Sequence, residues 1–243
     1  MTTIIGTGEV GALHSREELE EMQRLPLQRK IQITTARIIE WYQHYGGKDS
    51  TVLLDIVRRI YPDVPAVFSD TGLEFPEVRE FVKSCENVTI VRPEMNFRKV
   101  IEVYGYPVVS KRVADTVEYG HKPGSFRWKE LHGEIMRSNG TPSEFNCKKW
   151  CYLLDAPFKV SSRCCTIMKK QPMKKYSKET GRVPIIATMA NESRSRRATW
   201  LRMGCNAFSG KKPSSQPMSF WTEEDVLEYL YTYQVPYASV YGE

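Results

Sequence analysis

The sequence predicts an α/β fold with a parallel sheet and crossover helices, and three observations carry that prediction. Two short apolar runs, PAVFSDT at 65–71 and VTIVRP at 88–93, flank the helical PEVREFVKSC. This is the alternation of strand, helix and strand that builds parallel sheets. A further apolar run, VPIIATM at 183–189, reads as a third strand. The string GGKDST at 46–51 stands directly before a helical pattern, where free backbone N–H groups and the helix dipole attract anions.

Taken in chain order, residues 1–13 are Gly-containing and aperiodic, and read as a mobile segment. Residues 15–45 carry apolar side chains at helical spacing interrupted around Pro26, which predicts two helices. Residues 49–61, DSTVLLDIVRRIY, predict a helix whose first turn holds Asp, Ser and Thr, the residue types that satisfy free backbone donors. Past the two strands, helices are expected at 97–104 and 111–118, whereas the Gly, Pro and Ser content of 120–142 predicts an irregular insertion. Beyond a Cys-rich stretch at 147–165, the third strand leads to a basic helix at 192–203. MSFWTEEDVLEYLYTY then predicts a strand end, an N-cap at Thr222 and a closing helix.

The 243 residues contain 35 Lys and Arg against 29 Asp and Glu, a formal charge of +6. That surplus suits an anionic partner such as a nucleotide or nucleic acid, and equally a solvated basic surface. Lys148, Lys149, Lys169, Lys170, Lys174 and Lys175 cluster around the Cys-rich stretch and define either a candidate RNA or DNA interface or a solvated face. No stretch reaches the ~18 apolar residues of a membrane span, and no basic segment followed by an apolar signal core opens the chain. The expected setting is therefore the cytoplasm, without a membrane partner. Six cysteines there are expected to be reduced thiols, metal ligands or redox groups rather than a disulfide framework.

Gly46 and Gly47 supply flexibility, Lys48 a cation, Asp49 a carboxylate, and Ser50 and Thr51 two hydroxyls, a phosphate cradle in composition. The Walker spacing is not met, so the string alone is equally an ordinary turn. SDTGLEFPE at 69–77 follows the first apolar run, and the two loops are expected at strand C-terminal ends, where open α/β sheets bind ligands. With these go NFRKVIEVYGYPVVSK (96–111), RCCTIMKKQPMKKY (163–176), ATMANESRSRR (187–197) and SQPMSFWTEEDVLEYL (215–230). On these segments, almost the whole chain resembles the phosphoadenosine-phosphosulfate (PAPS) reductase-like family of the PP-loop superfamily.

The resemblance implies a doubly wound parallel sheet of the adenine nucleotide alpha hydrolase-like kind. Residues 1–45 would form a mobile terminus and helical extension, and residues 46–243 a nucleotide-binding domain with a Cys-bearing insertion. The implied partner is an adenine nucleotide: PAPS or adenylyl sulfate reduced to sulfite with a thiol electron donor, or ATP, with Mg, attacked at the α-phosphate. By the same implication Gly46, Gly47, Lys48, Asp49, Ser50 and Thr51 wrap phosphates, and Asp70, Thr71, Gly72 and Glu74 face the nucleoside. Arg194 and Arg197 become anion clamps, a task that suits the bidentate guanidinium fork; without the family context NESRSRR reads as a solvated helix face. Lys48, Arg194 and Arg197 would act in catalysis by positioning and by stabilising charge. Two alternatives stay open: an ATP-dependent enzyme inserting sulfur into a DNA or tRNA acceptor, and a non-catalytic nucleotide-binding protein.

Iron–sulfur members of the family bind a [4Fe-4S] cluster through paired cysteines, and Cys164, Cys165 and Cys205 match that pattern best. Such clusters take four thiolates, so Cys147 or Cys151 would complete the set; a reduced thiol patch is the alternative. Cys147 and Cys151, four apart, would share a helix face and either co-ligate or pack. Cys85, at a helix end, reads as a core residue.

The chain departs from the family at two places. A PP-loop follows a buried strand ending in Ser, yet IIEWYQHY runs helically into Gly46 and Tyr45 stands where the family has Ser. A Cys-rich tail bearing the nucleophilic Cys, whose thiolate attacks the sulfonucleotide sulfur, is not in the sequence. A strand rebuilt from elsewhere or a degenerate relative would account for this; residues omitted from the sequence at both places are the expectation.

Overall fold

Residues 13–42, 51–208 and 213–242 are described in the computed structural model. The first element, α1 (Arg16–Gln23), opens with a reciprocal cap in which Ser15 Oγ accepts from Glu18 N at 3.1 Å and Glu18 Oε2 accepts from Ser15 N at 2.8 Å. Pro26 separates it from α2 (Leu27–Tyr42), as the sequence predicts. Then α3 (Thr51–Ile60) buries Val52, Leu53, Ile56 and Val57 along one face.

The predicted strand–helix–strand alternation is β1 (Ala66–Ser69), α4 (Pro76–Ser84) and β2 (Val88–Val91). Ala66 N donates to Asn87 O at 2.8 Å and Asp70 N to Val91 O at 2.9 Å. The offset is the same at both ends, so β1 and β2 run parallel, with α4 as the crossover helix. This is the predicted α/β arrangement.

Next come α5 (Phe97–Tyr104) and α6 (Lys111–Tyr119), capped by the side chains of Asn96 and Ser110. One expectation fails in the following stretch: within 120–142, read as irregular, lies α7 (Phe126–His132). Ser125 Oγ caps it by accepting from Trp128 N at 3.1 Å. Its inner face carries Glu130, only 1% exposed, which accepts from Arg112, Arg127 and Thr116. A buried carboxylate on the core side erases the apolar periodicity by which helices are recognised.

A 3₁₀ helix (Lys148–Asp155) and a π-helical turn (Thr166–Lys170) precede α8 (Gln171–Thr180) and α9 (Arg194–Met203). The expected third strand at 183–189 does not form. Ile185 makes one parallel bridge to Ser215, with Ile186 N donating to Ser215 O and Ser215 N to Pro184 O. Pro184 has no N–H to extend the ladder. Its partner belongs to the two-residue antiparallel pair β3 (Asn206–Ala207) and β4 (Ser214–Ser215). Residues 217–220 turn rather than end a strand. The chain closes with α10 (Glu223–Tyr233), N-capped by Thr222 as predicted.

By contacts the chain forms two compact units, one of Met1–Phe68, Phe75–Thr89 and Tyr176–Glu243, the other of Ser69–Glu74 and Ile90–Lys175. The first has a large core that includes Trp41, Leu53, Ile185, Phe220, Trp221 and Tyr229. The second holds a cluster of Val113, Val117, Leu131 and Leu153 among α6, α7 and the 3₁₀ helix, and a smaller one of Val100, Ile167 and Met168. Among the described residues, no helix is long and apolar enough to cross a membrane.

Candidate functional site

The loop leaving β1 is built from its own side chains. Asp70 and Thr71 are buried. Asp70 Oδ1 accepts from Gly72 N at 3.1 Å, while its Oδ2 accepts from Arg92 Nε, also at 3.1 Å. Glu74 takes both donors of Thr71, the N–H at 2.9 Å and the hydroxyl at 2.6 Å, and the same hydroxyl accepts from Leu73 N at 3.3 Å. Gly72 sits at φ +79°, with no atom within 4 Å of where a Cβ would lie. Backbone conformation rather than crowding therefore calls for glycine there. Burial pushes the Glu74 carboxyl up, but the Thr71 hydroxyl, the backbone N–H groups and the charge of Lys169 outweigh it and hold it below the usual range. Four predicted residues, Asp70, Thr71, Gly72 and Glu74, are thus brought together in one pre-formed turn at the C-terminal end of a parallel strand.

A second segment is tied to this loop through Ser69, whose Oγ donates to Met168 O at 3.2 Å. In an α-helix the Met168 carbonyl would pair with the N–H of residue 172, and Pro172 has none. The helix widens there into the π turn, a feature common at functional sites, and Ser69 supplies the hydrogen bond that Pro172 cannot. Just before the turn, Glu118 of α6 holds three successive residues. Ser161 Oγ donates to it at 3.1 Å, Ser162 N at 3.0 Å and Arg163 Nε at 2.5 Å.

Sequence reasoning missed Arg92, Ser69 and Glu118, and read Lys169 only as part of a candidate nucleic-acid interface or a solvated face. For Arg92 a signal existed, because it follows β2 directly and the parallel register sets it beside Asp70. Glu118 had none, since its partners are more than forty residues away in sequence.

Lys48, together with Gly46, Gly47, Asp49 and Ser50, lies outside the described residues, and Thr51 is the first residue of α3. A groove of about 390 Å³ begins at Thr51 and is walled by Leu54, Phe81, Val82, Cys85 and Tyr237. Burial pushes the Cys85 thiol up. Arg194 opens α9 and is exposed; Arg197, one turn on, is half-buried. Between them Arg196 turns back to Glu192, which leaves positions 194 and 197 to share the other face.

The cysteines give the cluster expectation no support. Among the described residues, no group of three or more His, Cys, Asp or Glu could hold a metal ion. Cys164 packs against the Val100, Ile167 and Met168 cluster, and Cys165 stands just before the π turn. Cys205 is buried in the first unit's core, where desolvation pushes its thiol up despite a 3.5 Å contact with Ser219 Oγ. An apolar setting of this kind suits a packing thiol. Cys147 and Cys151 do not form a ligand pair on an α-helix: Cys147 precedes the 3₁₀ helix with its Sγ 3.3 Å from Phe145 O, and Cys151 turns to His132. The same result leaves no [4Fe-4S] ligand set among the described residues.

A parallel strand pair with a crossover helix and a side-chain-locked loop at the strand end defines an α/β protein of the kind that binds ligands at strand C-terminal ends. The model of the phosphoadenosine phosphosulfate reductase domain matches residues 41–116 and 139–243, and the chain belongs to that family. Among curated proteins, the adenosine 5'-phosphosulfate reductase of Halalkalibacterium halodurans is 29% identical over 84 residues, covering 28% of this chain and 36% of that protein. That of Bacillus subtilis is 27% identical over 84 residues, with the same coverage. An uncharacterized protein of Methanocaldococcus jannaschii is 24% identical over 203 residues, 81% of this chain and 32% of that one. The chain thus spans about a third of the length of these relatives. Among solved structures, the phosphoadenylyl-sulfate (PAPS) reductase of Candida auris in its phosphate complex is similar, with a TM-score of 0.45 and 14% identity over 95% of this chain and 93% of that one.

Proposed function

We propose that this chain binds an adenine sulfonucleotide, PAPS or adenylyl sulfate, and serves a sulfonucleotide reductase-type reaction with an external thiol as electron donor. The observation that carries this reading is the family match, which contains both GGKDST at 46–51 and the loop at 69–74. The internal hydrogen bonds of the second loop support it further. Glu74 accepts both donors of Thr71, and Asp70 accepts from Gly72 N, so the turn needs no ligand to be ordered, which lowers the entropic cost of binding.

In this reading Lys48 and the N–H groups at the start of α3 hold the phosphates, with Ser50 and Thr51 adding hydroxyls. Asp70, Thr71, Gly72 and Glu74 shape the nucleoside subsite, and Arg194 and Arg197 take anionic oxygens. A thiolate attacks the sulfonate sulfur, an S–S bond forms, and the nucleotide leaves with the electrons of the broken S–O bond. A second thiol then displaces sulfite and leaves a disulfide. The protein's part is to fix the sulfonucleotide and stabilise charge on the leaving phosphate.

The test is to incubate anaerobically purified full-length protein and a small-molecule dithiol with PAPS, adenylyl sulfate or ATP, and to quantify sulfite, AMP and pyrophosphate. Sulfite is expected, with Lys48→Ala reducing the rate about 100-fold. AMP and pyrophosphate from ATP without sulfite would replace the reading with acceptor adenylation. Nucleotide binding without any product would reduce the chain to a binder.

A further inference from the structure

Cys151 has a partner that none of the foregoing uses. Its Sγ lies 3.6 Å from Nε2 of His132. The other ring nitrogen, Nδ1, is 2.8 Å from the backbone carbonyl of Trp128. A carbonyl can only accept, so Nδ1 carries a proton, and in the neutral ring the lone pair of Nε2 is then turned toward the thiol. The imidazole cannot swing away freely, because it stacks on the Trp128 indole with centroids 3.9 Å apart and planes 22° from parallel.

Two elements of the second unit assemble this pair. His132 is the last residue of α7, where helix carbonyl ends favour a cation. Gly133 follows at φ +81° and turns the chain away. Cys151 rides on the 3₁₀ helix, in which residues three apart eclipse, so the exposed Lys148 shares its ridge. Cys151 is half-buried rather than sealed. A thiol facing the unprotonated nitrogen of an oriented imidazole, with an ammonium group on the same ridge, is the arrangement of an activated nucleophile.

We propose that Cys151 is a peroxide-reactive thiol, with His132 as its proton acceptor. In the step, the thiol proton passes to Nε2 while the sulfur attacks one peroxide oxygen. An S–O bond forms and the O–O bond breaks. Sulfur is oxidised by two electrons, and the departing hydroxide recovers the proton from the imidazolium and leaves as water. The product is a sulfenic acid at Cys151. This site owes nothing to the nucleotide reading and stands or falls without it.

The test uses the full reduced chain at pH 7, freed of reductant, treated with hydrogen peroxide and dimedone, with modification of each of the six cysteines followed by peptide mass spectrometry. Cys151 should be trapped about tenfold or more faster in the native chain than in the same chain unfolded in urea, where an ordinary thiol is only a few per cent thiolate. His132→Asn keeps a donor for the Trp128 carbonyl but removes the base, and should lower the Cys151 rate to the unfolded-chain value while Cys164 and Cys165 keep theirs. Native Cys151 reacting no faster than unfolded Cys151 overturns the proposal, as does a wild-type rate in folded His132→Asn. If that variant does not fold, the native-against-unfolded comparison in the wild-type chain decides alone.

Discussion

Lys30 and Asp225, 195 positions apart in sequence, meet in the interior of the first unit, with Nζ 2.7 Å from Oδ1 and 2.5 Å from Oδ2. The ammonium, 2% exposed, also donates to Gln23 O at 2.8 Å. The same carboxylate accepts from the N–H and hydroxyl of Thr222 at 2.7 and 2.9 Å, so one group both caps α10 and anchors α2. Asp225→Ala strands a buried ammonium and is expected to lower the unfolding free energy by about 3–5 kcal/mol. Thr222→Ala should cost only about 1 kcal/mol. Lys30→Met combined with Asp225→Ala should recover most of the loss in urea titrations; additive single losses would show that the pair does not work as one unit.

The loop at 69–74 should loosen in acid. The folded pKa of Glu74 is held below its unfolded value. Its contribution is therefore complete above roughly pH 4.3, the ordinary glutamate value, and is lost as pH falls through the lower folded value. Amide NMR shifts of Thr71 and Leu73 followed from pH 7 to pH 2.5 should report one shared acid transition below pH 4.3, absent in Glu74→Gln. Gly72→Ala, forced to φ +79°, is expected to cost about 1–2 kcal/mol, read by urea unfolding.

The bond from Ser69 to Met168 predicts a compensating pair. Ser69→Ala deprives a carbonyl of a buried residue of its hydroxyl donor and should destabilise by about 1 kcal/mol. Pro172→Ala restores an N–H at the α-helical spacing, so Ser69→Ala made in that background should cost measurably less. Equal costs in both backgrounds, by thermal or urea unfolding, would show that Pro172 does not create the demand for Ser69.

Cys205 should behave as a core thiol. Its pKa is raised by burial, so it stays protonated in the native state while the unfolded chain ionises near pH 8.5. The stability it confers is present below that pH and declines as pH rises above it. Cys205→Ala should flatten the fall in urea stability between about pH 8 and 10. Alkylation of native protein at pH 8 should leave Cys205 unmodified when the more exposed Cys164 and Cys165 have reacted; prompt labelling of Cys205 would contradict the buried placement.

The fold was legible wherever local chemistry and tertiary demand agree. Ser15, Asn96, Ser110 and Thr222 cap helices at or beside the predicted starts, because a cap is a contact three residues long. The runs that became β1 and β2 stood out because strands with crossover helices alternate in period over short windows. Where an inner face carries charge the pattern vanished, as at α7 with Glu130. At 183–189 the apolar run was present, but Pro184 and a two-residue partner strand left it a single bridge.

By itself, the sequence determined the α/β class, most of the helices, the family segments and the identity of the residues at 69–74, because these depend on neighbours within a few positions. Only the tertiary structure decided what each side chain faces. It turned Asp70 to Arg92, clasped Glu74 to Thr71, and sent Cys205 into a core. It also gave Cys151 an imidazole from nineteen residues away. Burial and long-range partners set a thiol's reactivity and a carboxylate's charge, and neither is written in the spacing of the residues that carry them.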